Sequence, residues 1–243
     1  AGLALQVAKN LGGGRAQKFH SQLRDEIGNF KELQLELIDA IKNGEIEPWF
    51  QPQIRLSDGQ LHGAEVLARW RHPKRGLLTP DRFLPAAEQS GLMVDMDHSI
   101  WKSAMKYARG WELAQLWRPC ISLNAAPATI SDPYMIERFL FELQKSGLAA
   151  DQVVVEVLET TLIEGKDDMA AINIDSLAEC GIALELDDFG TGYASLSKLT
   201  QLPLGGIKLD RSLVAPLPDH SADSGVRAIL ALTTELGLHV VAE

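Results

Sequence analysis

Short apolar segments alternate with longer segments of helical spacing from residue 48 onward, and this alternation most constrains the fold of the 243-residue chain. Strands are predicted near 48–54, 61–69, 119–123, 152–158, 182–187, 205–209 and 238–242, and helices near 79–90, 95–116, 132–146, 168–180 and 222–236. Continuous apolar runs such as VVVEVL are typical of parallel strands covered on both faces. The pattern predicts a (β/α)₈ barrel, which typically needs ~250 residues. A doubly wound sheet is the alternative, although no GxGxxG motif follows an early strand.

The charge balance narrows the possible partners. Lys and Arg number 23 and Asp and Glu 33, so the formal net charge is −10. An acidic chain without a dominant basic surface is not expected to bind DNA or RNA generally, although it can hold a small nucleotide through metal ions. The sequence contains no apolar run long enough for a membrane helix and no signal peptide. We therefore expect a cytoplasmic protein, with membrane attachment only through sequence outside this chain.

Polar side chains lie within or directly after most of the predicted strands. They are Glu65, Arg69, Asn124, Glu156, Glu159, Asp187, Asp188, Lys208, Asp210 and Glu243. Because burying unpaired charge is costly, the adjacent Asp187 and Asp188 are expected where their strand leaves the sheet. A glutamate flanked by valines, as Glu156 is, fits poorly with a solvated surface. Barrels build active sites at the C-terminal ends of their strands, so these residues predict one shared polar site.

Each of these signals also has a simpler structural interpretation. Glu65 and Arg69 fall on one side of a strand and could form an ordinary ion pair on an exposed edge. Asn124 could be a helix N-cap. Lys208 and Asp210 could form a structural ion pair, and Glu243 could be solvated.

The residue types indicate the chemistry of such a site. Its oxygen ligands would be Glu65, Asn124, Glu156, Asp187 and Asp188, which suit Mg²⁺ or Mn²⁺ better than zinc. Two such ions ~4 Å apart would activate a water and stabilise the leaving oxygen of a phosphodiester. Lys208 could hold that water and Glu243 could accept its proton.

Together these motifs resemble the EAL domain, the family of cyclic di-GMP phosphodiesterases. The signature tripeptide stands here as Glu65-Val66-Leu67, with valine in place of the usual alanine. The other matching segments are FQPQI (50–54), EVLARW (65–70), LTPDRFLPAAEQSGL (78–92), ISLN (121–124), VEVLET (155–160), DDFGTGYASL (187–196), LPLGGIKLD (202–210) and the closing VVAE. The resemblance implies hydrolysis of cyclic di-GMP to linear pGpG.

The resemblance also implies individual roles. The metal ligands would be Glu65, Asn124, Glu156 and Asp187, with Asp188 serving a second metal. Lys208 would lie near the attacking water, and Glu243 would be a general base or a metal-linked glutamate. Glu159 would anchor the loop after the two aspartates. The dinucleotide site would be lined by Gln51, Leu67, Arg69 and Asp210.

The resemblance divides the chain into three segments. Residues 45–243 would form the EAL domain, and residues 21–44 a connecting helix. Residues 1–20 resemble the tail of a GGDEF, or diguanylate cyclase, domain, so the chain would belong to a tandem GGDEF–EAL protein. The family pattern continues beyond Glu243, so the barrel would lack its C-terminal strand and helices here. A homodimer, formed through the helix at 21–44, is a further hypothesis.

Other functions remain open at this point. A receptor that binds cyclic di-GMP without hydrolysing it would use the same site. A Mg²⁺-dependent barrel could use Lys208 as the base of an enolisation. A purely structural interaction module is the third possibility.

Overall fold

The computed structural model describes residues 21–158, 169–190, 199–217 and 220–242. Its helices are α1 (Ser21–Asn43), α2 (Pro80–Gln89), α3 (Met93–Leu113), α4 (Pro127–Ile130), α5 (Met135–Ser146), α6 (Met169–Glu179), α7 (Arg211–Val214) and α8 (His220–Leu236). Its strands are β1 (Ile46–Ile54), β2 (Leu61–His72), β3 (Gly76–Leu78), β4 (Ile121–Ala125), β5 (Val153–Leu158), β6 (Ala183–Phe189), β7 (Gly206–Leu209) and β8 (His239–Ala242).

All of these strands belong to one sheet with a simple order. The path is β1-β2-β4-β5-β6-β7-β8, with β3 attached to β2. Neighbouring strands from β2 through β8 along this path run parallel. A doubly wound sheet reverses its strand order at a switch point, whereas this order simply follows the chain. The fold is therefore α/β of the barrel type, as the alternation predicts.

A single ion pair shows that the sheet curls. Lys208 on β7 and Glu65 on β2 stand four strand positions apart in the sheet order. In a flat sheet that separation would be ~19 Å, because neighbouring strands lie ~4.8 Å apart. Nevertheless, Lys208 Nζ lies 3.2 Å from Glu65 Oε2. The sheet must bend around these side chains, as the wall of a barrel does.

The first strands depart from a regular (β/α)₈ barrel, in which every strand is parallel. Strand β1 pairs with β2 antiparallel, with Gln51 opposite Glu65. The connection, residues 55–60, is too short for the crossover that a parallel pair needs. The short strand β3, which the sequence reading missed, also pairs with β2 antiparallel. A hairpin therefore replaces the first βα unit.

The seven predicted strands are all present, with ends shifted by a few residues. The helix predicted over 132–146 begins at Met135, and the separate turn of helix α4 precedes it. Pro133 lies between the two helices. The helix predicted to reach residue 116 ends at Leu113, and Gln115 then adopts a positive φ of 55°. These boundaries depend on local backbone geometry that hydrophobic periodicity does not encode.

Helices pack on the outer face of the sheet and enclose the apolar core. Alternation along β7 places Ile207 and Leu209 in that core and directs Lys208 to the opposite, inner face. Helix α1 packs on the same core through Leu33 and Leu37. Its role as a connecting helix stays a prediction. Of the helices that the structure describes, none is long and apolar enough to cross a membrane.

Candidate active site inside the curled sheet

Three carboxylates from three strands meet one lysine on the inner face. Lys208 Nζ lies 3.2 Å from Glu65 Oε2, 3.0 Å from Glu156 Oε2 and 3.1 Å from Asp187 Oδ1. The Lys208 side chain is 1% exposed and that of Glu156 is fully buried. The structure thus brings together four of the residues that the sequence singles out, from strands β2, β5, β6 and β7.

Asn124 adjoins this cluster at the end of β4. Its Nδ2 donates to Glu65 Oε1 at 3.2 Å and to the carbonyl of Val66 at 3.3 Å. The alternative interpretation as a helix N-cap is wrong, because Ala126 is the N-cap of α4. The side chain of Asn124 is therefore directed to the carboxylate cluster and not to a helix terminus.

Helix α3 holds the chain at Asn124 and directly after it. Trp101 Nε1 donates to the Asn124 carbonyl at 2.9 Å. Asp97 Oδ2 accepts from Ala126 N at 2.9 Å and from Thr129 Oγ1 at 2.6 Å. Burial raises the pKa of Asp97 to about 6, and the two hydrogen bonds oppose that shift. These contacts position Asn124, and the sequence reading missed them because Asp97 lies within an amphipathic helix.

Asp188 has an unusual backbone conformation beside the cluster. Its φ is 55°, in the left-handed region that residues with a Cβ rarely adopt. Its amide donates to Asp187 Oδ1 at 2.9 Å. Non-glycine residues held in this conformation concentrate at functional sites. The pairing of β6 with β7 is also irregular between Leu186 and Phe189, so the two adjacent aspartates lie at an irregularity of the sheet.

The charges of the cluster do not balance. Counting only the four side chains named above, three carboxylates surround one ammonium group, which is a formal surplus of two negative charges in a buried space. Burial, reinforced by the Glu65 carboxylate, raises the pKa of Glu156, while Lys208 opposes the rise. Glu156 Oε1 is buried and has no hydrogen-bond partner among the residues described.

This donor set fits hard divalent cations. Carboxylate and amide oxygens are the ligands that Mg²⁺ and Mn²⁺ prefer, and two positive charges would neutralise the surplus. In the described part of the chain, no three acidic, histidine or cysteine side chains are already arranged around a common ion position. The carboxylates instead converge on the Lys208 ammonium, so a cation would have to share them with the lysine.

The remaining predicted residues lie around this centre or outside the described ranges. Gln51, Leu67 and Arg69 project from the same face as Glu65, because opposite residues of an antiparallel pair share a face. Arg69 Nη1 donates to the Ala68 carbonyl. Asp210 caps α7, accepting from Ser212 N at 2.9 Å. The residues Glu159 and Glu243 lie outside the described residues.

A second pair of ionisable residues on the same sheet, a buried glutamate and a partly exposed histidine, was missed by the sequence reading. His239 Nε2 lies 2.6 Å from Glu185 Oε1, and Glu185 is 3% exposed. The two residues flank Gly206 in register across β6, β7 and β8. A Cβ on Gly206 would overlap the His239 ring, so glycine lets the ring cross β7. Glu185 stands between two leucines, as Glu156 stands between two valines. The same pattern, a glutamate within an apolar run, could therefore have identified Glu185 as a second buried acid.

Comparison with known proteins agrees with this geometry. The family model of the EAL domain matches residues 34–243. The cyclic di-GMP phosphodiesterase NbdA of Pseudomonas aeruginosa is 36% identical over 244 residues, covering 100% of this chain and 31% of the relative. The bifunctional diguanylate cyclase/cyclic di-GMP phosphodiesterase MucR of the same species is 31% identical, covering 100% of this chain and 36% of MucR. The chain thus spans about a third of these relatives.

Solved structures show the same fold. The PaMucR phosphodiesterase in complex with c-di-GMP superimposes with a TM-score of 0.80 at 31% identity, covering 87% of this chain and 85% of that one. The EAL enzyme Bd1971, in its cAMP and cyclic-di-GMP bound form, gives a TM-score of 0.81 at 27% identity, covering 96% of this chain and 61% of that one.

Proposed function

Because the chain belongs to the EAL domain family, we propose that it hydrolyses cyclic di-GMP to linear pGpG with the help of divalent cations. The observation that supports this most directly is the convergence of Glu65, Glu156 and Asp187 on Lys208. Three carboxylates and one ammonium group in a buried space need further positive charge, and a phosphodiester substrate would add another negative charge. Metal ions would balance the negative charge of the site and of the substrate, and Mg²⁺ or Mn²⁺ suits these oxygen ligands.

The ligands in this proposal would be Glu65, Asn124, Glu156 and Asp187, with Asp188 serving a second ion. When bound, two such ions activate a water and stabilise the leaving oxygen of an in-line displacement. Lys208 would donate a hydrogen bond to the attacking water, and Glu243 would accept its proton. Glu159 would anchor the loop after Asp188.

The other residues of the proposed site would bind the substrate. Gln51, Leu67, Arg69 and Asp210 would line the dinucleotide site. Gln51, Leu67 and Arg69 face the same side of the hairpin as Glu65, which supports their assignment. Asp210 lies directly after β7, although its side chain also caps α7.

The structure favours this chemistry over enolisation. Lys208 Nζ already lies within ion-pair distance of three carboxylates, whereas the base of an enolisation must present a free lone pair to its substrate. An ammonium suits a group that holds a water or an anionic oxygen.

As for neighbouring domains and assembly, we propose a tandem GGDEF–EAL arrangement, with α1 as the connecting helix and a homodimer formed through it.

Hydrolysis of cyclic di-GMP with Mg²⁺ or Mn²⁺ tests the proposal. The chain is compared with its Glu65→Ala variant and with Glu137→Ala, which removes an exposed acid of the outer helix α5. We expect turnover to pGpG that Glu65→Ala abolishes and Glu137→Ala retains. Tight binding without turnover would identify a receptor instead, and neither binding nor turnover would leave only a structural module.

A further inference from the structure

Trp49 is an exposed aromatic residue on the inner face of the β1–β2 hairpin. It stands opposite Leu67, and its neighbour Gln51 stands opposite Glu65. Because opposite and alternate residues of an antiparallel pair share a face, Trp49 points to the same side as Glu65. Along β1 it lies two residues, about 7 Å, from the position opposite Glu65.

Trp49 is more exposed than the other tryptophans of the protein. Trp49 is 44% exposed, whereas Trp70 and Trp101 are almost completely buried. Burial of a tryptophan is strongly stabilising, so a ring left open on a concave face is available for a ligand. None of the roles assigned above uses this ring.

Neighbouring charged groups hold the ring in place. Trp49 Nε1 donates to Glu47 Oε1 at 3.0 Å. Glu47 is fixed in turn by Arg71, with contacts of 2.6 Å and 3.0 Å. The Arg69 guanidinium lies 5.8 Å from the centre of the Trp49 ring. The ring is therefore oriented before any ligand arrives, which reduces the entropy that binding must overcome.

We infer that Trp49 is a stacking platform for one purine base of the substrate. The inference rests on the proposed function and adds a residue that recognises the base. The carboxylate cluster repels the phosphodiester and gives no affinity for a base, so the bases need separate contacts. An aromatic face supplies them, because base stacking is favourable for every purine. Arg69, beside the ring, can donate to the acceptors O6 and N7 of a guanine.

Kinetics on two substrates tests this inference. The first substrate is cyclic di-GMP, and the second is bis(p-nitrophenyl) phosphate, a phosphodiester without a purine. The variants are Trp49→Ala and Trp49→Phe. Tyr134→Ala is the matched control, because Tyr134 is 59% exposed and carries the Arg138 guanidinium 5.9 Å from its ring, but lies just before the outer helix α5.

We expect Trp49→Ala to raise KM for cyclic di-GMP about 5- to 100-fold with kcat changed less, because stacking is lost. Hydrolysis of bis(p-nitrophenyl) phosphate should stay at the wild-type level. Trp49→Phe should restore part of the affinity, and Tyr134→Ala should match the wild type on both substrates. An unchanged KM in Trp49→Ala, or an equal loss on both substrates, would overturn the inference.

A fluorescence titration separates this inference from the proposed function. If the wild type does not hydrolyse cyclic di-GMP, the proposed function fails, and binding alone then tests the platform. Stacking of a purine on Trp49 should quench tryptophan fluorescence in the wild type and in Tyr134→Ala, and this quenching should be lost in Trp49→Phe. Equal quenching in Trp49→Phe, or none in the wild type, would overturn the inference.

Discussion

Two groups of charged residues lie on this curled sheet, each with at least one buried carboxylate, and they differ in charge balance. Around Lys208, three carboxylates share one ammonium. Between β6 and β8, one carboxylate, Glu185, meets one imidazole, His239. Hydrogen bonding to Glu185 raises the pKa of His239, with burial opposing, so the pair can neutralise itself.

The difference separates a structural pair from a site that needs a ligand. A pair with equal and opposite charges needs no further ion for charge balance. A cluster with a surplus of buried negative charge is stable only if protons, metal ions or a substrate complete it. Charge balance, and not the number of buried charges, therefore distinguishes the candidate active site from the Glu185–His239 pair.

The largest expected effect concerns the unbalanced cluster. Glu156→Gln should lower cyclic di-GMP hydrolysis by about 100- to 1000-fold, because it would remove one of the proposed metal ligands, which costs more than loss of a ligand's supporting contacts. In chelator, the same variant should unfold at or above the wild-type temperature, because glutamine resembles the protonated acid that the raised pKa of Glu156 favours. Steady-state kinetics and calorimetry measure the two effects. A variant that keeps its activity, or that unfolds much earlier, would contradict this account.

Asp97 adds a buried carboxylate that is compensated by hydrogen bonds alone. Its pKa in the folded protein, about 6, exceeds the ordinary value of 3.8, so the folded state binds more protons between about pH 4 and pH 6. The free energy of unfolding should therefore fall by up to about 3 kcal/mol as pH rises through that window. Asp97→Asn keeps an acceptor oxygen and should remove this slope. Urea unfolding at several pH values measures it, and an unchanged slope would refute the assignment.

Gly206 tests whether the balanced pair depends on the close approach of His239. Gly206→Ala should lower the free energy of unfolding by about 1–3 kcal/mol, because the new methyl group overlaps the ring. Adding His239→Ala to Gly206→Ala should relieve part of that loss. A double-mutant cycle in denaturant gives the coupling energy. Strictly additive effects would show that the ring does not press on residue 206.

The smallest expected effect is the pH dependence contributed by His239. Since its pKa is raised in the folded state, its stabilisation is complete below the ordinary histidine pKa and is lost as pH rises through the folded value. The side chain is 43% exposed, so solvent screening limits the change to less than about 1 kcal/mol. His239→Gln should flatten this part of the stability curve. NMR titration of the ring checks the pKa directly, and a value at or below that of a free imidazole would exclude the effect.

Much of the fold and part of the site could be predicted because both follow from periodicity. Alternation along β7 is enough to separate Lys208 from Ile207 and Leu209, and strand order then brings it to Glu156 and Asp187. The antiparallel start was missed, although the short connection 55–60 excludes a crossover. The repeated strand–helix pattern predicts a parallel pair at this point, whereas the short connection indicates an antiparallel one.

Contacts between distant residues could not be predicted from one sequence. His239 finds Glu185 only because two strand spacings and a glycine place them together. Asp97 reads as one polar residue on a helix, and its partners Ala126 and Thr129 lie about thirty positions further along the chain. The exposure of Trp49 likewise depends on which residues pack against it in the folded chain, and no local sequence pattern gives that information.

Lys208 gives the protein a resident counterion. Its ammonium already holds Glu65, Glu156 and Asp187 within reach of one another. Without it, three acids would push apart the strands that carry them, and the fold would depend on a supply of metal. With it, the proposed cations would load by exchange with existing ion pairs, in a chain that is already folded.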